Sequence, residues 1–290
     1  TVFKYIIFYY ARMEIILKTI SFVNMKGGVA KTTLAFNIAI FLSQREQKKV
    51  LMIDMDPQFN LTQCAMSSPE YVNLISEGRD TVSRIFDTKH ILVSSVTGSQ
   101  QSEPKELKDI EPQNISINLD LLPGTLDLYR LPDGNGIENK LRRYVELQKD
   151  NYDYVIIDTP PTPSMWMTAS LIASDGYIIP VKTDPLSRIG TELLRSVVKE
   201  KTETYGLDIT CYGLVLTIVE KNTRNYTDAI DQYKSDDVWK DLLFEGCLIK
   251  RVAVSRYQTR DQDGYKTILE INDPDLKSEM NKIVKELLTK

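Results

Sequence analysis

Two registers of apolar and polar positions alternate along this chain. Short strand-like stretches, most of them apolar runs, occur at Thr19–Asn24, Val50–Asp54, Ile115–Leu122, Tyr154–Asp158, Gly176–Val181, Cys211–Val219 and Leu248–Arg251. Runs of this kind predict strands buried on both faces, as in a parallel sheet. Between them the apolar positions recur every three to four residues. Leu34, Ile38, Phe41 and Leu42 predict a helix from the Thr33 region to about Gln47. Further helices are predicted over Ile137–Lys149, Met165–Ala173, Leu186–Tyr205, Tyr226–Tyr233 and 275–289. The last gathers Leu276, Met280, Ile283, Val284, Leu287 and Leu288 on one face. Strands alternating with helices predict one α/β domain: a doubly wound, mostly parallel sheet with helices on both faces.

Two stretches are less regular. Between residues 64 and 114 only Val82, Ile85 and Phe86 suggest a short helix, and Thr97–Pro112 reads as an exposed polar loop. Residues 1–12 read as an N-terminal extension, apolar and aromatic from Val2 to Tyr10 around Lys4, before a domain spanning 13–290. The run is too short to span a bilayer and lacks a secretory cleavage site, so it is expected to pack on the domain.

Composition narrows the function classes. With 290 residues and 42% apolar residues, the chain can bury a substantial core. A net charge of −4 gives no global nucleic-acid signal, so any DNA contact needs a local basic patch. Cys64, Cys211 and Cys247 lie far apart with no C-x-x-C, which suggests neither zinc nor a disulfide framework and suits a reducing cytoplasm.

The chemistry concentrates between the first strand and the first helix, in Met25-Lys26-Gly27-Gly28-Val29-Ala30-Lys31-Thr32-Thr33. A strand, a tight glycine turn and a helix start make a phosphate cradle, because the free N–H groups and the helix dipole both favour an anion. The plain pattern G-x-x-x-x-G-K-[ST] fails here, since Met25 and Ala30 stand where it needs glycine. The variant K-G-G-x-G-K-T-[ST], with an additional lysine, fits everywhere except Ala30.

Three aspartates complete the pattern. Asp54 and Asp56 follow the strand Val50–Ile53, and Asp158 ends the strand Tyr154–Ile157. Ligands bind at this carboxyl-terminal edge in open α/β sheets. One such aspartate usually caps a turn, but this set behind a phosphate loop suits a site ordering Mg2+ and its waters.

With these residues, the chain resembles the ParA-type partition ATPases, the deviant phosphate-loop group that segregates plasmids and chromosomes. Lys26–Thr33 is the specific part. Leu51–Asn60 resembles the family's first switch, and Asp153–Pro161 its Walker B strand and second switch. The resemblance covers most of residues 14–289 and implies ATP and Mg2+ as ligands. Gly27, Gly28, Val29, Ala30, Lys31, Thr32 and Thr33 would bind nucleotide; Lys31 would reach the β- and γ-phosphates and Thr32 would ligate Mg2+. Asp54 and Asp158 would act on the metal through water, and Asp56 would position the attacking water. Lys26 would reach across an ATP-dependent homodimer to the partner's nucleotide. The family further implies non-specific double-stranded DNA and a centromere-binding ParB-type adaptor as partners, in the cytoplasm on the nucleoid. Lys221, Arg224, Lys250, Arg251 and Arg256 are the DNA-contact candidates, with Arg260 and Lys266 nearby and Asp261 and Asp263 diluting them.

Two departures stand out. Ala30 replaces a glycine where its Cβ either fits at negative φ or crowds the loop, and weaker nucleotide binding is expected. Lys250, in Ile249-Lys250-Arg251, replaces the proline of a motif near the family's adenine pocket. A cell-division-site-positioning ATPase of the same superfamily, acting at the membrane, is the alternative function, but Glu279 and Glu286 among the lysines of 275–289 favour packing over membrane binding. An iron–sulfur reductase would need a cluster cysteine between Cys64 and Cys211, and there is none.

Overall fold

The computed structural model describes residues 17–87, 105–131, 136–256, 259–261 and 266–290. The N-terminal extension and the part of the 97–112 loop before residue 105 lie outside the described residues. Eight strands form one sheet: β1 (Lys18–Phe22), β2 (Val50–Asp54), β3 (Gln113–Ser116), β4 (Leu119–Leu122), β5 (Tyr154–Asp158), β6 (Gly176–Lys182), β7 (Thr210–Val219) and β8 (Leu248–Ile249). Their order is β3-β4-β2-β5-β1-β6-β7-β8, and every pairing is parallel except β3 with β4.

Side-chain alternation explains why the strands are apolar throughout. Val50 and Met52 of β2 join one core with Ile20, Phe22 and Ile156, while Leu51 and Ile53 join a second core with Val155 and Ile157. Both faces are therefore covered. The first core takes α1 (Lys31–Gln44) and the C-terminal helix; the second is closed in part by Leu141, Tyr144 and Trp166. Each fully buried large side chain contributes roughly 1.5–3 kcal/mol.

The remaining helices are α2 (Asn60–Ala65), α3 (Ser68–Ser76), α4 (Ser83–Phe86), α5 (Lys140–Glu146), α6 (Met165–Ile172), α7 (Ser187–Tyr205), α8 (Arg224–Lys234), α9 (Val252–Arg256) and α10 (Pro274–Leu287). In α10, Leu276, Met280, Ile283, Val284 and Leu287 are all buried, so its apolar stripe is spent on the core. No helix among the described residues is long and apolar enough to cross a membrane.

Three expectations about elements change. Ile115–Leu122 is not one strand: it folds back as β3 and β4, with Asn118 at φ 59, a conformation that asparagine tolerates. The first helix ends at Gln44, short of Gln47, which itself sits at φ 54. The stretch that reads weakly after residue 64 holds α3, started by a capping box between Ser67 and Glu70.

The site's position follows from strand order. From β1 the chain first crosses to β2 on one side and later continues through β6, β7 and β8 on the other. Such a switch point opens a crevice beyond the carboxyl ends of the strands. The segments after β1, β2, β4, β5, β6 and β7 all emerge there.

Candidate nucleotide site

The loop after β1 is pinned from two strands. Asn24 donates through Nδ2 to the Pro180 carbonyl of β6 (2.7 Å), and its Oδ1 accepts the Lys26 N–H (2.8 Å). The Thr217 hydroxyl of β7 donates to the Val29 carbonyl (2.9 Å). Gly28 is left-handed at φ 67, and so is Ala30 at φ 63, ψ 33. Of the two alternatives for Ala30, the fit at negative φ is thus excluded. A non-glycine residue there costs roughly 1–2 kcal/mol.

Directly after Ala30, α1 begins with no side-chain cap and no acidic residue in its first turn. By contrast α6, α8 and α10 are capped by Ser164, Thr223 and Asp273. No side chain caps or neutralises the start of α1, so its dipole favours an anion there.

Across the β2–β5 pairing, Asp54 and Asp158 are register partners, and both are fully buried. Thr62 of α2 holds Asp54 Oδ2 through its N–H (2.8 Å) and hydroxyl (2.7 Å), and the Gly124 N–H donates to that hydroxyl (2.9 Å). A Cβ on Gly124 would stand 2.8 Å from the Cβ of Phe59, so glycine is required by this approach. Asp158 Oδ2 accepts the Thr32 hydroxyl at 2.6 Å, while its Oδ1 is buried with no hydrogen-bond partner among the described residues.

Burial raises the carboxyls of both aspartates. Asp54 is pushed well above its usual range, with Asp158 adding to the effect, and Asp158 rises to about 7 although Thr32 and Lys31 oppose the shift. Burial likewise lowers the Lys31 ammonium, countered by Asp158 and Asp56. Asp56 is raised by burial, against the Gln58 N–H on its Oδ1 (2.9 Å) and the charge of Lys31.

A cavity of about 430 Å³ is lined by the whole stretch Gly27–Thr33 and by Asp56. The fold therefore joins these predicted residues in one site, with Asp158 attached through Thr32. Gln58, Asn60, Gln63 and Thr259 also line it. Thr259 is brought in by its neighbour Arg260, whose N–H donates to the Gln63 carbonyl (3.0 Å). Gln58 and Asn60 belong to the stretch read as the first switch, whereas no motif in the sequence marked Gln63 or Thr259. Ile249, Lys250 and Arg251 are not among the lining residues.

Lys26 points elsewhere: its ammonium is 2.6 Å from Asp184 Oδ2, just after β6, in a half-exposed ion pair. The DNA candidates cluster at the β7–β8 side and are paired as well. Lys221 meets Glu279 (2.9 Å), Arg224 meets Asp228 (3.4 Å), Lys250 meets Glu220 and Arg251 meets Asp273. Arg256 is exposed at the end of α9.

A family model described as AAA domain matches residues 17–210. The sporulation initiation inhibitor protein Soj of Bacillus subtilis is 30% identical over 242 residues, covering 82% of this chain and 86% of Soj. The virulence plasmid ParA family protein pGP5-D of Chlamydia psittaci is 28% identical, over 82% and 86% of the two chains. Among solved structures, a plasmid partition protein from Borrelia burgdorferi bound to AMPPNP superposes with a TM-score of 0.71 at 22% identity, covering 94% of this chain and 99% of that one. Together with the phosphate loop and the switch-point geometry, these matches establish that the chain belongs to the AAA domain family, in its ParA/Soj group of phosphate-loop proteins.

Proposed function

We infer that this chain is a DNA-partition ATPase that cycles between a monomer and an ATP-sandwich dimer. The observation that carries the reading is the convergence at one crevice of an uncapped helix start, a buried Lys31, and a Thr32–Asp158 pair with a spare carboxylate oxygen. The ATP and partition parts of the reading draw support from the Borrelia protein, which carries AMPPNP, and from the plasmid relatives.

In this reading the Gly27–Thr33 backbone and the Lys31 ammonium bind the phosphates. The residues fit Mg2+: the Thr32 hydroxyl would ligate it, and Asp158 and Asp54 would orient its waters, the unpartnered Asp158 Oδ1 being such an acceptor. Bound there, the metal neutralises charge on the β- and γ-phosphates. Asp56, held by the Gln58 N–H, orients the attacking water and accepts its proton. Lys26 leaves Asp184 when a second copy closes, and stabilises charge on the partner's γ-phosphate. The ATP-closed dimer binds double-stranded DNA through its basic side chains, without sequence preference, and a ParB-type adaptor stimulates hydrolysis. The protein then resides in the cytoplasm on the nucleoid.

Co-sedimentation with non-specific DNA, alongside light-scattering mass, tests this. ATP is expected to give a dimer and salt-sensitive DNA binding, whereas ADP or no nucleotide gives neither. Equal DNA binding with ADP and ATP would overturn the reading.

A further inference from the structure

Two left-handed residues flank the cavity. Ala30 closes the phosphate loop, and Phe59, at φ 44 and ψ 41, starts α2 between the lining residues Gln58 and Asn60. Left-handed backbone is unusual for a bulky side chain, and such strain persists only where its surroundings hold it. Here Tyr71 of α3 does so. Its ring stacks on the Phe59 ring, with centroids 5.1 Å apart and planes 12° from parallel. Its hydroxyl donates to the Gly124 carbonyl just after β4 (3.1 Å), where the backbone passes so close to Phe59 that glycine is required. Stacking of an aromatic pair is comparable in size with the cost of one left-handed residue, so the Tyr71 contact offsets a large part of that cost.

Phe59 in turn holds Asp56. The Phe59 N–H donates to the Asp56 carbonyl (2.8 Å), closing a turn, and within that turn the Gln58 N–H donates to Asp56 Oδ1 (2.9 Å). The direction of the carboxylate is thus tied to the conformation of the 56–59 turn. On its other side, Gly124 donates to the Thr62 hydroxyl that holds Asp54. Tyr71 therefore stands where the supports of the two aspartates meet, yet it is not among the residues lining the cavity. We propose that Tyr71 is a positioning residue for hydrolysis: through Phe59 it fixes the aim of the Asp56 carboxylate at the attacking water, and nucleotide binding proceeds without it.

This role rests on the reading of Asp56 as the group that orients water, and the two are tested apart. Steady-state hydrolysis of Mg-ATP gives kcat and KM, and calorimetry gives the affinity for ATPγS. Both are measured on the full-length unaltered chain and on Tyr71→Phe, Tyr71→Leu, Phe59→Leu and Asp56→Ala, with melting temperature as the folding control. A misplaced general base costs about tenfold in rate or more. Tyr71→Leu is expected to lose about tenfold in kcat while ATPγS affinity stays within about twofold. Tyr71→Phe, which keeps the stack, should retain most of kcat. Phe59→Leu breaks the same stack and carries the test should Tyr71→Leu not fold. Unchanged kcat in the leucine variants, loss of kcat in step with affinity, or equal loss in Tyr71→Phe would overturn the role of Tyr71 and leave that of Asp56 standing. Asp56→Ala with unchanged kcat, or an unaltered chain that does not hydrolyse ATP, would overturn both.

Discussion

The two ends of the sheet's ligand edge treat charge in opposite ways. Around the phosphate loop, charges are left in need. Asp54 and Asp158 are buried side by side, and among the described residues Asp158 keeps an oxygen without a partner. Toward β8, charges are settled. Glu279, almost fully buried, accepts from Lys221, Lys282 and the Cys247 N–H, while Lys250 and Arg251 have Glu220 and Asp273. The first arrangement costs the protein stability, and a bound cation or nucleotide would relieve it. The second holds α10 against β7 and β8 and has no need of one. DNA contact through Lys221 or Arg251 must therefore compete with ion pairs already made. A basic residue's type marks a candidate, and its partners decide how available it is.

The largest effect that sharpens this contrast is at Lys31. Lys31→Ala should weaken nucleotide binding by two orders of magnitude or more, since it removes a desolvated ammonium from the cradle; titration with a fluorescent ATP analogue measures it. Binding within a few-fold of the unaltered protein would break the assignment of the needy end as the nucleotide site. Next comes Asp158→Asn. Removing one of two adjacent buried carboxylates should stabilise the nucleotide-free protein by about 1–3 kcal/mol at pH 8, read as a higher melting temperature. It should also cost about tenfold of the Mg2+-dependent gain in nucleotide affinity. The pH sign follows from a folded carboxyl held up to about 7 against an ordinary 3.8. The folded state binds this proton more tightly, so the penalty grows as pH rises from about 4 to about 7 and is complete at pH 8. The variant's melting curve should therefore lack that component.

The same contrast explains what the sequence made legible. Strands β1, β2, β5, β6 and β7 were readable because burial on both faces leaves an unbroken apolar run. The loop was readable because its chemistry lies in consecutive residues. What escaped is whatever depends on contacts between distant segments. Thr62 reaches Asp54 from a helix that no periodicity announces, and Tyr71 reaches Gly124 from another. The Asn118 turn was hidden inside an apolar stretch that alternates as a single strand would. Nor could residue type reveal that Lys26 and four of the DNA candidates would each have a carboxylate partner.

At the settled end, Glu279→Gln should cost about 1–2 kcal/mol of stability and leave nucleotide affinity unchanged. Burial alone would raise this carboxyl, but Lys282, Lys221 and Cys247 together hold it down at about 2, against an ordinary 4.5. A depressed carboxyl contributes its full stability above about pH 4.5 and loses it as pH falls toward 2. Melting temperatures across that window should fall more steeply for the unaltered chain than for the variant. A coupled loss of nucleotide affinity would mean that the two ends are not independent.

The smallest effect is at Ala30, where two terms oppose each other. Left-handed backbone costs alanine roughly 1–2 kcal/mol, which glycine avoids. Glycine in turn gives the unfolded chain more freedom, worth roughly 0.4–1 kcal/mol. Ala30→Gly should therefore stabilise by about 1 kcal/mol or less in thermal unfolding. Its clearer signal belongs to the ligand. If the strain persists in the bound loop, the variant's nucleotide affinity matches that of the unaltered chain. If closing on phosphate tightens the turn further at φ 63, glycine binds a few-fold tighter, and the gain should appear equally for ATPγS and ADP because Ala30 adjoins the helix start. A gain confined to ATPγS would instead mean that the strain at Ala30 is felt at the terminal phosphate and not at the helix start.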